Sequence, residues 1–477
     1  MNTTVRVAAP ARRGVILATC CLSLLVVSMD ASIVNVALPA IRDDLNASLS
    51  GLQWVIDAYT IVLASFLMLG GATADRFGRR RVFQFGMVLF VAGSLLCSLA
   101  GSVTSLVAAR VVQALGGSML NPVAMSIVVN TFTEPKARAR AIGIWGAVAG
   151  ISMALGPLAG GALTQGLGWH AIFWINVPIG ALALFLTARY VPESRAPQPR
   201  RPDPIGQLLL LVGLGALVFS LIEGPRLGGA LVFTVLLALA AFVALLVYEP
   251  RRPEPLLDLR FFHSLPFSSA TLIAVCMFAA MGAYLFLGSI YLQEVRGLSA
   301  FHAGLCILPM ALAIMALSPL SGRLVAAHGA RPSLLISGTM LCISALLMTD
   351  LGVDTPLSSL LLNFCLFGIG FGMVNAPVTY AAVSGMPRAQ AGLASAIAST
   401  SRQIGISLGV AIAGALVGGH GASTSWAAYP AATHPMWWLL LGAGVLILGL
   451  GLLSTGARGR ASVERIAHLL QEPRTAS

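Results

Sequence analysis

The chain reads as an all-α polytopic membrane protein built from two six-helix bundles with two extra helices between them. Composition is the first reason: hydrophobic residues make up 57% of the chain and charged residues 10%, outside the range of a soluble globular domain. The second is a series of apolar runs about 20 residues long, the length that crosses a bilayer as a helix. The third is an internal duplication. A charged turn bracketed by glycines, Gly71-Ala-Thr-Ala-Asp75-Arg76-Phe77-Gly78-Arg79-Arg80-Arg81, returns roughly 251 residues later with the same glycine spacing as Gly322-Arg323-Leu324-Val325-Ala326-Ala327-His328-Gly329-Ala330-Arg331.

Fourteen spans follow in order. Span 1, Gly14 to Ala40, runs through Asp30 to Pro39 and is too long for a cleaved signal peptide. Span 2, Leu49 to Ala74, ends at the charged turn, and span 3, Val82 to Gly101, begins after it. Span 4 covers Ser105 to Asn130; span 5, Arg138 to Gln165, follows the polar turn at Glu134-Pro135-Lys136-Ala137. Span 6, Ala171 to Val191, gives way to a proline-rich stretch, Val191 to Pro204. Spans 7 and 8, Ile205 to Glu223 and Leu231 to Tyr248, make the extra hairpin. A mixed-charge segment, Arg251 to Phe262, is expected along the membrane surface before span 9, Pro266 to Gln293. Spans 10 and 11, Phe301 to Ala327 and Pro332 to Asp350, flank the second charged turn. Spans 12 and 13, Leu357 to Ser384 and Ala391 to Gly418, flank Met386-Pro387-Arg388-Ala389-Gln390, which aligns with Glu134 to Arg138 at an offset near 252. Span 14 is Pro435 to Leu453.

Spans 1 to 6 therefore match spans 9 to 14 as parallel repeats. The expected units are 1–191, the first bundle; 192–265, linker, extra hairpin and surface segment; 266–456, the second bundle; and 457–477, a tail. An even number of spans puts both termini on one side. Roughly 24 of the Lys and Arg residues fall there and about three, Arg42, Arg226 and Arg296, on the other, which orients the termini to the cytoplasm of a bacterial inner membrane. The same rule accounts for the net charge of +12 without nucleic acid. Lys136, the single lysine, is followed by Ala137, so a phosphate-binding Gly-Lys-Ser/Thr loop is absent and no ATP motor resides in this polypeptide. The seven cysteines lie in apolar runs without ligand-like spacing, and no metal or cofactor is expected.

Chemistry concentrates in the first bundle. Asp30 stands near the middle of span 1, where a carboxylate needs a wet cavity, a partner or a proton. It reads as a proton-exchange site also open to cargo, or as a structural carboxylate in a hydrogen-bond network. Counted inward at 1.5 Å per residue, Asp30 lies about 14 Å deep and Arg110 of span 4 about 8 to 9 Å, within reach of a long side chain. Such a pair would hold the acid ionised, and losing the contact would favour proton uptake. Gln113 stands one turn beyond Arg110. Gln53, Asp57 and Thr60 share a face of span 2; Asp57 reads as a substrate or proton residue, or as a solvated residue of the outer mouth. Spans 9 to 14 hold no mid-membrane acid, although Arg402 and Gln403 stand in span 13, which argues against a dedicated dication site. Span 5 carries Gly143, Gly146, Gly150, Ser152, Gly156, Pro157, Gly160 and Gly161, a pattern of tight packing or of a surface on which two halves rock.

These stretches resemble the major facilitator superfamily along nearly the whole chain. Gly71, Asp75, Arg76, Gly78, Arg79 and Arg80 look like its loop 2-3 signature, Arg110-x-x-Gln113-x-x-Gly116 like its span 4 signature, and Gly143 through Gly161 like its span 5 antiporter signature. Fourteen spans, Asp30 before Ile33-Val-Asn-Val-Ala-Leu-Pro39, and Trp169-His170 through Asn176 to Gly180 resemble the 14-spanner drug:proton antiporters of the EmrB/QacA multidrug efflux type. The resemblance implies that Asp75 meets the start of span 13 and latches the halves in the outward-open state, with Arg79 and Arg80 in that charge network. It also implies that Asp30 and Arg110 form the proton-linked region and that Gly156-Pro157 packs span 5 on span 10. Departures are Ser152 at the middle glycine of the antiporter pattern, His170 in place of an arginine, and Ala326 where the second loop would carry its acid.

The function expected is proton-coupled efflux of amphipathic, cationic small molecules by alternating access, in a monomer. The partners are cargo, protons and the bilayer. A dedicated exporter of one endogenous metabolite or antibiotic is the first alternative, and a proton symporter for uptake the second.

Overall fold

The structure, a computed structural model, describes residues 10–196, 202–252, 254–384, 386, 390–419 and 426–471. Among the described residues fourteen helices are long and apolar enough to cross a membrane. They are α1 (Pro10–Leu45), α2 (Leu49–Phe77), α3 (Arg79–Ser98), α4 (Val103–Thr131), α5 (Pro135–Leu167), α6 (Ala171–Tyr190), α7 (Pro204–Leu227), α8 (Ala230–Tyr248), α9 (Leu265–Ile290), α10 (Ala300–His328), α11 (Ala330–Met348), α12 (Leu357–Val383), α13 (Ala391–Gly419) and α14 (Tyr429–Ser454). A terminal helix, α15 (Ala457–Gln471), follows.

Short polar residues start many of these helices by occupying otherwise orphaned N–H groups. Ser48 accepts from Gly51 N at the head of α2, Ser102 and Ser105 form a reciprocal box on α4, and Asp203, Ser264 and Ser299 cap α7, α9 and α10. The duplicated turns end their helices in the same way. Gly78 (φ 113°) and Gly329 (φ 76°) adopt backbone angles that L side chains rarely take, and each N–H closes the helix before it on Ala74 O and Val325 O.

Several boundaries differ from the sequence expectation. Helix α1 extends past Pro39 to Leu45. The sixth span is broken at Ile175 between Trp174 and Asn176. Helix α9 ends in a π-turn, Tyr291–Val295. Helix α14 begins at Tyr429 rather than Pro435, because Pro430 already fills its first turn and Pro435 lies inside the helix. The surface segment folds as two short 3-10 turns, Glu249–Arg251 and Leu259–His263. Pro387, Arg388 and Ala389 of the aligned turn, residues 197–201 of the proline-rich stretch, and the ends of the chain lie outside the described residues.

Packing follows the repeat. In the first half α1 packs on α4, α5 and α6, and α3 on α4; in the second, α9 packs on α12, α13 and α14, and α11 on α12 and α14. The two groups meet along two antiparallel seams, α2 with α13 and α5 with α10. Helix α7 lies against both α2 and α13, and α8 packs chiefly on α7, leaving Val232, Phe233 and Leu236 exposed as on a lipid-facing helix. We call the side holding the start of α1 and the end of α14 the terminal face, and the opposite side the far face.

Candidate functional site

Helix α1 brings Asp30 into the interior of the first half, where its side chain is wholly buried among α3, α4 and α6. Arg110 of α4 is as deeply buried and donates to Asp30 Oδ2. Gln113 Nε2 and Asn176 Nδ2 donate to the other oxygen, Oδ1, at 2.8 and 3.0 Å. Ser94 of α3 accepts from the same two amides at 3.1 and 2.9 Å and donates to Phe173 O at 3.1 Å. The guanidinium also donates to Val55 O (3.1 Å) and Gln113 Oε1 (2.7 Å) and lies 4.0 Å from the Tyr59 ring centroid. Both carboxylate oxygens are satisfied, as a charge inside a bilayer requires.

The pairing of Asp30, Arg110 and Gln113 is therefore present within a hydrogen-bond network, but the reading of Asp30 as a site also open to cargo is corrected, since its side chain is wholly buried. Asp30 is enclosed because α4 and α6 supply three donors to it, two of which Ser94 of α3 holds in place. Asp57 is not a solvated mouth residue either. It is wholly buried on the α2–α13 seam, beside Thr60 and Ser407. Gln53, one turn earlier, donates across the seam to Val410 O and Ala411 O at 3.2 and 3.1 Å. Gln53 and Asp57 thus join the halves, apart from the Asp30 cluster. With both acids sealed, the observation behind a cationic cargo is missing.

The span 5 pattern sets how closely helices approach. A Cβ at Gly156 would overlap the Ser32 hydroxyl of α1, and one at Gly160 would sit 2.8 Å from Ile33. On the adjoining face a Cβ at Gly161 would lie 2.5 Å from Ala300 O of α10, and Gly304 of α10 rests on Pro157 O. Moving toward the terminal face along the same side of α5, Gly150 has only the Met315 backbone at 3.8 Å, and Gly143 has nothing within 4 Å. The halves touch at the far face and diverge toward the terminal face. Ser152 is buried and turns its hydroxyl back on Val148 O at 2.6 Å. At the far face the closure is completed by Gln293, which donates to Val36 O at 2.9 Å, and by Arg42, 3.7 Å from Glu294 and 4.5 Å from the Trp426 ring.

The loop between α2 and α3 is held by the chain that leaves α6. Asp75 pairs with Arg79 at 2.8 Å, its carbonyl accepts from Ala196 N at 3.1 Å, and Arg79 N donates to Ser194 O at 2.9 Å. Glu193 accepts from Arg80 N at 3.1 Å and lies 3.8 Å from Arg81, with its carboxylate against Gly78. Arg76 lies over its neighbour Phe77. A Cβ at Gly71 would lie 3.7 Å from Pro122 of α4, an ordinary contact. Among the described residues, the partners of Asp75 lie in this loop and in the chain that leaves α6. Sequence reasoning missed Glu193, whose signal was an acid just after span 6 facing a loop of arginines. It also gave no role to Ser94 and Asn176, mid-span polar residues one layer from Asp30.

Residues 20–410 match the family model described as Major Facilitator Superfamily. The chain is 40% identical over 399 residues to the "Multidrug resistance protein Stp" of Mycobacterium tuberculosis, covering 83% of this chain and 74% of the relative. It is 35% identical to the "Tetracenomycin C resistance and export protein" of Streptomyces glaucescens, again over 83% and 74% of the two chains. Among solved structures it is similar to a D-xylose-proton symporter, with a TM-score of 0.66 and 15% identity over 92% of this chain and 97% of that one, a likeness of fold.

Proposed function

Because the chain belongs to the Major Facilitator Superfamily, a family of transporters rather than enzymes, we propose that it is a proton-coupled exporter of amphipathic small molecules, of the 14-span drug:proton antiporter branch. It works by alternating access between residues 1–191 and 266–456, with the terminal face in the cytoplasm of a bacterial inner membrane. The efflux direction is supported by the relatives' names, multidrug resistance and antibiotic export, and the orientation by the excess of arginine on the terminal face.

The observation that carries proton coupling is the enclosed Asp30 cluster. Protonating Asp30 would leave Arg110 buried without a counter-charge, a state that favours rearrangement of α1. Ser32 and Ile33, two and three residues along the same helix, underlie Gly156 and Gly160 of α5, and Val36 accepts the hydrogen bond from α9. One rigid element therefore links the titrating group to contacts on both halves. Loss of the proton toward the cytoplasm restores the ion pair and the packing.

Asp30→Asn should abolish pH-gradient-driven efflux measured as cargo accumulation in inverted vesicles containing equal amounts of protein. Undiminished accumulation would overturn the assignment. A dedicated antibiotic exporter is the second reading, favoured by the relative named for a single compound. Resistance to one chemotype only, in an efflux-deficient host, would select it.

A further inference from the structure

Arg402 of α13 places a guanidinium in the membrane interior of the second half with no acid beside it among the described residues. It stands eleven residues into α13, about 16 Å from the terminal-face end at 1.5 Å per residue. Its Nη2 donates to the hydroxyl of Thr379 on α12 at 2.7 Å, and its centre lies 5.8 Å from the ring of Phe278 on α9. The Thr379 hydroxyl donates onward to Asn375 O at 2.9 Å, so it offers Arg402 an acceptor. Nε is buried and has no hydrogen-bond partner, and none of the ion pairs among the described residues includes this side chain. Arg402 is partly exposed and Thr379 exposed, on the stretch of α12 and α13 where the halves diverge.

Arginine has five N–H donors and cannot shed its charge. Arg110 shows how this fold satisfies one from within, with a carboxylate, a carbonyl and an amide. Arg402 is given a single neutral hydroxyl, and its remaining donors have no partner among the described residues, so the outer nitrogens are left for a group that does not belong to the chain. A planar oxyanion matches the guanidinium fork, and Phe278 offers an apolar face beside it.

We propose that Arg402, Thr379 and Phe278 form a subsite for an anionic group of the cargo, a carboxylate or phenolate carried on an aromatic scaffold. This rests on the exporter reading and replaces the cationic cargo expected from sequence with one of opposite charge.

The test is equilibrium binding to the purified full-length protein, with no proton gradient, using fluorescein and a cationic rhodamine ester, xanthene dyes of opposite charge. Wild type should bind fluorescein, and aromatic carboxylates should displace it about tenfold or more better than their methyl esters. In Arg402→Gln the preference for fluorescein over the rhodamine should fall by a similar factor, with Arg402→Lys between. Absence of fluorescein binding to wild type, or esters displacing it as well as acids, would overturn the proposal even if the glutamine variant fails to fold. So would an unchanged preference in Arg402→Gln, the mark of a cation that is merely solvated, or equal loss of both dyes. Failure of the exporter reading appears separately, as no gradient-driven accumulation of either dye by wild type in inverted vesicles.

Discussion

The two halves share a scaffold and differ in what they bury at its centre. In the first, α1, α3, α4 and α6 enclose Asp30, Ser94, Arg110 and Asn176, a cluster built on a salt bridge. In the second, the equivalent helices α9, α11, α12 and α14 enclose Tyr284, Ser344, Asn363 and Trp437. There Tyr284 bonds Ser344 at 2.6 Å, Asn363 donates to Ser344 O at 2.7 Å, and the Tyr284 ring stacks on Phe367 with centroids 4.0 Å apart. Serine persists at the matching place on α3 and α11, while the salt bridge has become an aromatic and amide contact. Repetition preserved the helices; the buried salt bridge at the centre belongs to one copy.

The sharpest way to break that contrast is to leave one charge alone in the first half. Arg110→Ala strands Asp30 in the interior, and a loss of about 3–5 kcal/mol is expected, read as a lower midpoint in thermal unfolding of the purified protein. The double variant Asp30→Asn/Arg110→Gln removes both charges and should recover most of that stability without recovering gradient-driven efflux. If the double variant is no more stable than Arg110→Ala, the cluster is held by shape rather than by charge. Full efflux from the double variant would mean that the proton acts elsewhere.

Next in size is a perturbation that should affect both copies alike, because close helix approach is repeated where charge is not. Gly156 packs on Ser32 of α1, and Gly409 of α13 packs on the Ala279 backbone of α9. Gly156→Val and Gly409→Val should each cost about 1–3 kcal/mol through overpacking. Unfolding midpoints falling by similar amounts would support a common scaffold; a loss confined to Gly156→Val would make the α1–α5 contact special to the first half.

How far the sequence reached follows from what each signal measures. Hydrophobic runs measure length, so all fourteen crossings were legible, and depth along a helix brought Asp30 and Arg110 within reach of each other. Length and depth say nothing of azimuth. The outer-mouth alternative for Asp57 rested on its lying nearer a helix end, yet its side chain turns into the α2–α13 seam, which only the partner helix could reveal. The enclosure of Asp30 depended on Asn176 and Ser94, polar residues on two further helices whose convergence is a property of the packed bundle. Pro435 misled because proline marks a helix start, and Pro430 had already taken that position.

The smallest expected effect tests the neutral copy. Tyr284→Phe keeps the ring on Phe367 and Trp437 and removes only the hydroxyl bonded to Ser344. Ser344 keeps its contact with Asn363 Oδ1 at 3.3 Å, so no buried group is orphaned and a loss of about 1 kcal/mol is expected. Because no charge is involved, the dependence of efflux on the imposed pH gradient should match wild type in shape while stability falls slightly. A displaced gradient dependence in Tyr284→Phe would show that the second half also takes part in proton coupling, and the division between a charged core and a neutral one would lose its functional meaning.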